Sequence, residues 1–216
     1  MFYSEDHREI HIADVDAGLK INLLPNVPIK FNPVWSGSAR LAFVSNLNAN
    51  SEIVILDMNT GTIVNVTNSE ADDYSPYWSP DGHLMLVSSR DGNPDVYEMN
   101  TQTGEIFNIT QDNFLNTNHI WSPRGQLAFV SNRDGGDALF MLDANTGEIT
   151  MLAHDATFYF PLLWLDDERI VYILPGDENI GPYILNVQTA ETTLATSMDK
   201  DEMFRVRENR QYYVPF

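Results

Sequence analysis

Trp35, Trp78, Trp121 and Trp164 stand 43 residues apart, and Gly18, Gly61, Gly104 and Gly147 keep the same spacing, with Ala190 at the next step. Two unrelated residue types in one phase define an internal repeat, which restricts the fold more than any other feature of the chain. One unit runs from Tyr77-Trp78 through the turn Ser79-Pro80-Asp81-Gly82 into the apolar run His83 to Val87. The polar loop Ser89 to Pro94 follows, then Val96 to Met99, the turn Asn100 to Gly104, and Glu105 to Ile109. Pro presets φ at such turns and Gly supplies positive φ. Short apolar runs between turns, without helical periodicity, predict strands.

A repeat of this length with four strands fits a propeller blade rather than a solenoid coil. The predicted fold is therefore all-β, a β-propeller of about five four-stranded blades, because five such periods nearly fill the 216 residues. The chain reads as a single domain, 1–216, with units at about 33–75, 76–118, 119–160 and 161–203. The closing blade is expected to combine 204–216 with 1–32, since Phe2-Tyr3-Ser4 resembles Phe43-Val44-Ser45. N- and C-terminal strands paired in this way would remove an exposed sheet edge.

The motif Trp78-Ser79-Pro80-Asp81-Gly82 has degenerate copies at Trp121-Ser122-Pro123-Arg124-Gly125 and Trp35-Ser36-Gly37-Ser38. With the loops Ser89-Arg90-Asp91-Gly92 and Ser131-Asn132-Arg133-Asp134-Gly135, these resemble the TolB-type propeller repeat. The resemblance implies the propeller fold and leans towards a periplasmic or other extracytoplasmic setting, with localisation itself left open. It says little about activity, because related propellers bind proteins, gate serine peptidases or act as lyases on pectin fragments.

Charge narrows the choice of partner. Twelve Lys and Arg face 31 Asp and Glu, a net charge of −19. Such a field repels phosphate backbones and attracts basic proteins or peptides, so nucleic acid is not an expected partner. No apolar run reaches the ~18 residues of a membrane-spanning helix, so membrane insertion is not expected. The absence of Cys removes thiolate chemistry but leaves the compartment open. Oligomeric state is equally open. Met1 to Asp6 show neither the basic nor the apolar segment of a secretory signal.

The tryptophans are expected to pack between blades rather than to stack on sugars. Asp81, Asp91 and Asp134 fit turn capping better than a calcium loop. Asn65 and Asn108 head formal glycosylation sequons that the repeat itself explains. His7, His11, His83, His119 and His154 form no His-Glu-x-x-His motif, and Gly-x-Ser-x-Gly is absent. No cofactor, metal or catalytic residue is therefore expected.

The units differ most just before each Trp, in segments expected to be connectors at the channel mouth: Ile29 to Pro33, Asp72 to Pro76, Leu115 to His119, Phe158 to Leu162 and Asp201 to Arg205. Asp72, Asp73, Tyr74, His119, Tyr159, Phe160, Asp201, Glu202, Phe204 and Arg205 are the candidate ligand-binding residues. Aromatic anchors beside carboxylates suit a protein or basic peptide, so the expected function is a non-catalytic binding scaffold. The alternatives are a lyase-type or metal-dependent enzyme, with Asp72, Asp73, Asp201 and Glu202 on a metal, or a structural domain of a longer protein.

Overall fold

The computed structural model describes residues 2–3, 10–14, 19–23, 29–46, 50–79, 81–143, 146–154, 163–172 and 183–195. Within these residues the chain is all-β, as the turn spacing predicts. β1 (Phe2–Tyr3), β2 (Ile10–Asp14) and β3 (Leu19–Asn22) form a three-stranded antiparallel sheet. Four four-stranded sheets follow in sequence order. They comprise β4 (Ile29–Trp35), β5 (Arg40–Ser45), β6 (Glu52–Asp57) and β7 (Ile63–Asn65); then β8 (Asp73–Trp78), β9 (Leu84–Ser88), β10 (Asp95–Met99) and β11 (Ile106–Asn108). The third contains β12 (Asn116–Trp121), β13 (Gln126–Ser131), β14 (Ala138–Asp143) and β15 (Ile149–Ala153). The fourth contains β16 (Leu163–Trp164), β17 (Arg169–Tyr172), β18 (Tyr183–Asn186) and β19 (Thr192–Leu194). The first strands of successive sheets lie side by side, β4 by β8, β8 by β12 and β12 by β16, which is the arrangement of propeller blades.

Burial falls from the inside outward. β5 and β9 are buried almost throughout, whereas the last strands β7 and β19 are largely exposed and β11 is mostly half-buried. An antiparallel sheet with one wet face alternates polar and apolar residues. Here both faces of the second strand are covered by neighbouring blades, so its sequence is a continuous apolar run. Among the described residues the larger core clusters accordingly span two blades, while Val171, Ile184 and Ala195 cluster within the fourth. Val34, Ala42, Ile53 and Ile55 meet Trp78, Leu84, Leu86, Tyr97 and Met99. Met85 and Val96 meet Leu127, Phe129 and Phe140. Ile120, Ala128, Val130 and Leu139 meet Trp164, Ile170 and Tyr172. Ile10 of the three-stranded sheet joins Leu41, Phe43 and Val54 in the same way.

The tryptophans are packing residues, as their phase predicts. Trp78 and Trp164 are buried, and their indole N–H groups donate to the Val34 and Ile120 carbonyls of the preceding blade at 3.2 and 3.3 Å. Backbone conformation follows the repeat even where the residue type does not. Ala190 takes φ of +57° at the step where Gly61, Gly104 and Gly147 take +71°, +79° and +73°. An L-residue pays a steric penalty there that glycine avoids.

One expectation is corrected. The segments Ile29 to Pro33, Asp72 to Pro76 and Leu115 to His119 are not connectors but largely the inner strands themselves. The reason is a bulge. Asn32, Ser75 and Asn118, one period apart, have φ of 55°, 52° and 50°, and the pairing register shifts across each. A left-handed polar residue inside a strand bends it and reads as a loop in the sequence. The expected closure by 204–216 lies outside the described residues.

Candidate functional site

Pairing fixes which loops share a face. Asp73 pairs with Ser88 and Ser88 with Asp95, so the start of an inner strand, the end of the second strand and the start of the third lie at one end of the blade. The loops between second and third strands, and the segments leading into the next blade, therefore crowd that face. Ser51 and Asp73 exchange contacts between adjacent blades: the Asp73 N–H donates to the Ser51 carbonyl at 2.8 Å, and the Ser51 N–H to Asp72 Oδ1 at 2.8 Å.

Beneath this face two equivalent polar networks join neighbouring blades. In the first, Arg90 donates to Asp73 Oδ1 at 3.1 Å and to Ser88 Oγ at 2.9 Å, while the Ser69 hydroxyl donates to Asp73 Oδ2 at 2.8 Å. Buried Glu52 accepts from the Thr67 hydroxyl at 2.6 Å. One period later, Arg133 donates to Asp112 Oδ2 at 2.8 Å and to Asn116 Oδ1 at 3.3 Å. Asn116 Nδ2 donates to Asp95 Oδ1 at 2.9 Å, and the Thr110 hydroxyl to the same oxygen at 2.7 Å. The guanidinium groups also lie over Tyr97 and Phe140, at 5.2 and 4.8 Å from the ring centroids. These contacts satisfy carboxylates that would be costly to bury alone.

The candidate residues separate on this background. Asp72 is exposed at the rim. Tyr74 is half-buried, and its phenol is pushed up first by burial and then by the Asp72 charge. Asp73 is fully buried and neutralised by Arg90 of the same blade, so its carboxylate braces that blade's inner strand rather than serving as a rim ligand. His119 is also interior, 2% exposed, with neither ring nitrogen hydrogen-bonded. Burial lowers its pKa to about 4; the Met85 backbone offsets this slightly without reaching hydrogen-bond geometry. Tyr159, Phe160, Asp201, Glu202, Phe204 and Arg205 lie outside the described residues.

The sequence reading missed two groups. Arg90 and Arg133 were legible only as loop residues, although their shared phase was visible. At the opposite end of the second blade, Asp81, His83 and Glu98 bring a carboxylate, an imidazole and another carboxylate within 4.8 Å of one another. His83 Nδ1 lies 2.6 Å from Glu98 Oε1 and 3.8 Å from Asp81 Oδ2. The signal for Glu98 was its exception to the repeat, since Ile55, Met141 and Ile184 stand one and two periods away.

Comparison with known proteins agrees with this architecture. TolB from Acinetobacter baumannii is 26% identical, with a TM-score of 0.73 over 87% of this chain and 48% of its own. A Mycobacterium tuberculosis puromycin-hydrolyzing peptidase is 16% identical, with a TM-score of 0.70 over 89% of this chain and 37% of its own. Oligogalacturonate lyase from Vibrio parahaemolyticus is 14% identical, with a TM-score of 0.65 over 89% and 60%. The chain thus spans less than two thirds of each of these proteins. No curated protein sequence matches it. The family described as the TolB β-propeller domain matches residues 3–210. With its 43-residue repeat and its inter-blade tryptophans, the chain belongs to the TolB β-propeller family.

Proposed function

We propose that the chain is a non-catalytic recognition scaffold that binds a basic segment of a protein partner across the face bearing the second-to-third-strand loops. The observation that carries this reading is the fate of the arginines. Arg90 and Arg133 turn inward onto Asp73 and Asp112, while Glu70, Asp72, Asp91, Asp134 and Asp137 remain exposed on the same face. Among the described residues, a surface whose arginines are paired inward presents a negative field to solvent, which attracts and orients a cationic partner. Half-buried Tyr74 offers an aromatic contact beside Asp72. The similarity to TolB supports a scaffold role. The similarity to a lyase and a peptidase supports the fold alone, and among the described residues Arg90 and Arg133 of this face are already committed to carboxylates rather than free to neutralise an anionic substrate.

The test uses a labelled Lys/Arg-rich peptide and an acidic counterpart of equal length, followed by fluorescence anisotropy. The basic peptide should bind, and its affinity should fall steadily with ionic strength because rim charges act through screened attraction. Changing Asp72, Asp91, Asp134 and Asp137 together to Asn should weaken binding about tenfold or more, since each charge contributes a few tenths to about 1 kcal/mol. Asp73 is left intact, because its loss would strand Arg90. Equal binding of both peptides, or binding indifferent to the fourfold change, would remove this reading.

A further inference from the structure

The repeat provides an internal comparison at every position, and it singles out the turn between β8 and β9. Where the second blade has Asp81, His83 and Glu98, the first has Ser38, Arg40 and Ile55. The third has Arg124, Gln126 and Met141, and the fourth has Asp167, Arg169 and Ile184. A carboxylate at position 98 is therefore no requirement of the blade, and it coincides with the one histidine at position 83. We propose that Asp81, His83 and Glu98 form a binding site for a divalent transition metal, with zinc as the probe.

The geometry is close to what such a site needs. Zinc holds nitrogen and oxygen ligands at about 2.0–2.2 Å, so tetrahedral donors sit roughly 3.3–3.6 Å apart. The His83–Glu98 separation of 2.6 Å would open by somewhat less than 1 Å, and the His83–Asp81 separation of 3.8 Å would close slightly. Side-chain rotation suffices for both. Metal binding requires Nδ1 to give up the proton shared with Glu98, and that proton can be carried at Nε2 as the other tautomer.

The supporting groups are in place. The buried Ser79 hydroxyl donates to Asp81 Oδ1, which leaves Oδ2 as the oxygen nearer His83. Ser79 is itself fixed, since its Oγ accepts the His83 N–H at 3.0 Å. A ligating carboxylate oriented by a hydrogen bond from behind is the usual outer arrangement of a metal site. One imidazole with two carboxylates suits zinc and its first-row neighbours, whereas calcium takes six to eight oxygens. Three protein ligands leave a coordination position open, and the Asp81 side chain, 66% exposed, places that opening at the surface. The site lies at the end of the blade opposite the acidic rim, so it is independent of the peptide-binding reading.

Calorimetric titration of zinc into the chelator-treated full chain tests the proposal. The variants are borrowed from sibling blades to preserve folding: Glu98→Ile, as at Ile55 and Ile184, and His83→Gln, as at Gln126. Glu105→Gln, which removes an exposed carboxylate of the same sheet, controls for diffuse attraction to a chain of net charge −19. The expected result is one zinc per chain, with affinity lowered by more than about tenfold in both E98I and H83Q and unchanged in E105Q. If wild-type protein takes up no stoichiometric zinc, or binds it no more tightly than E98I and H83Q do, the cluster is only a His–Glu hydrogen bond and the proposal falls.

Discussion

His119 occupies the place that Pro33 and Pro76 hold in the two preceding inner strands. Proline needs no hydrogen-bond partner for its side chain; an imidazole does, and here it has none. The cost appears as proton linkage. Burial depresses the folded pKa to about 4, whereas an unfolded histidine titrates near 6.5. Between those values the unfolded chain takes up a proton that the folded chain refuses. The His119 contribution to stability is therefore complete above about pH 6.5 and is lost as pH falls towards about 4, by up to about 3 kcal/mol. His119→Leu, the residue found at position 162, should remove that part of the pH dependence and leave stability at neutral pH equal or higher. Urea midpoints of both proteins at about pH 7 and about pH 4.5 decide it. Parallel falls in the two proteins would show that carboxylates, not His119, govern the acid limb.

At the scale of the strand, the blade-to-blade contact is the unit of stability, and Trp78 anchors one such contact. Its ring packs among Val34, Ala42 and Ile53, its N–H reaches the Val34 carbonyl, and Arg40 lies 4.5 Å above the ring. Trp78→Ala should cost about 3–5 kcal/mol, measured by urea unfolding. Unaltered stability with lost affinity for a sugar would restore the stacking role that its buried position argues against. The Trp and Gly phase made the strands, their order and this packing legible in the sequence, because repeated residues record repeated backbone geometry. The inner strands were less legible: Asn32, Ser75 and Asn118 carry the polarity of a turn while sitting inside a strand. The candidate site was least legible. Whether Asp73 faces solvent or Arg90 depends on a contact across 17 residues, and Glu98 meets His83 only once two strands pair.

For the whole molecule the decisive quantity is charge. The ties Arg90–Asp73 and Arg133–Asp112 are sheltered, with side-chain exposures of 21% or less, so salt weakens them little. Arg124–Asp167 and Arg169–Asp166 are more exposed, and their small contributions fade on screening. Against these losses stands the mutual repulsion of a chain with 31 acidic and 12 basic side chains, which opposes compaction. Screening that repulsion outweighs the loss of two exposed pairs. The urea midpoint should therefore rise as sodium chloride increases from about 0.01 M to about 0.5 M, as the Debye length shrinks from about 30 Å to a few Å. Urea is the required denaturant, since guanidinium chloride would itself supply the salt. The proposed partner responds with the opposite sign: the salt that strengthens the fold weakens attraction between the acidic face and a basic segment. A basic peptide that binds less tightly while the fold becomes more stable attributes the loss to screened attraction rather than to unfolding. A midpoint that falls with salt would mean that the ion pairs, rather than self-repulsion, set the electrostatic balance of this propeller.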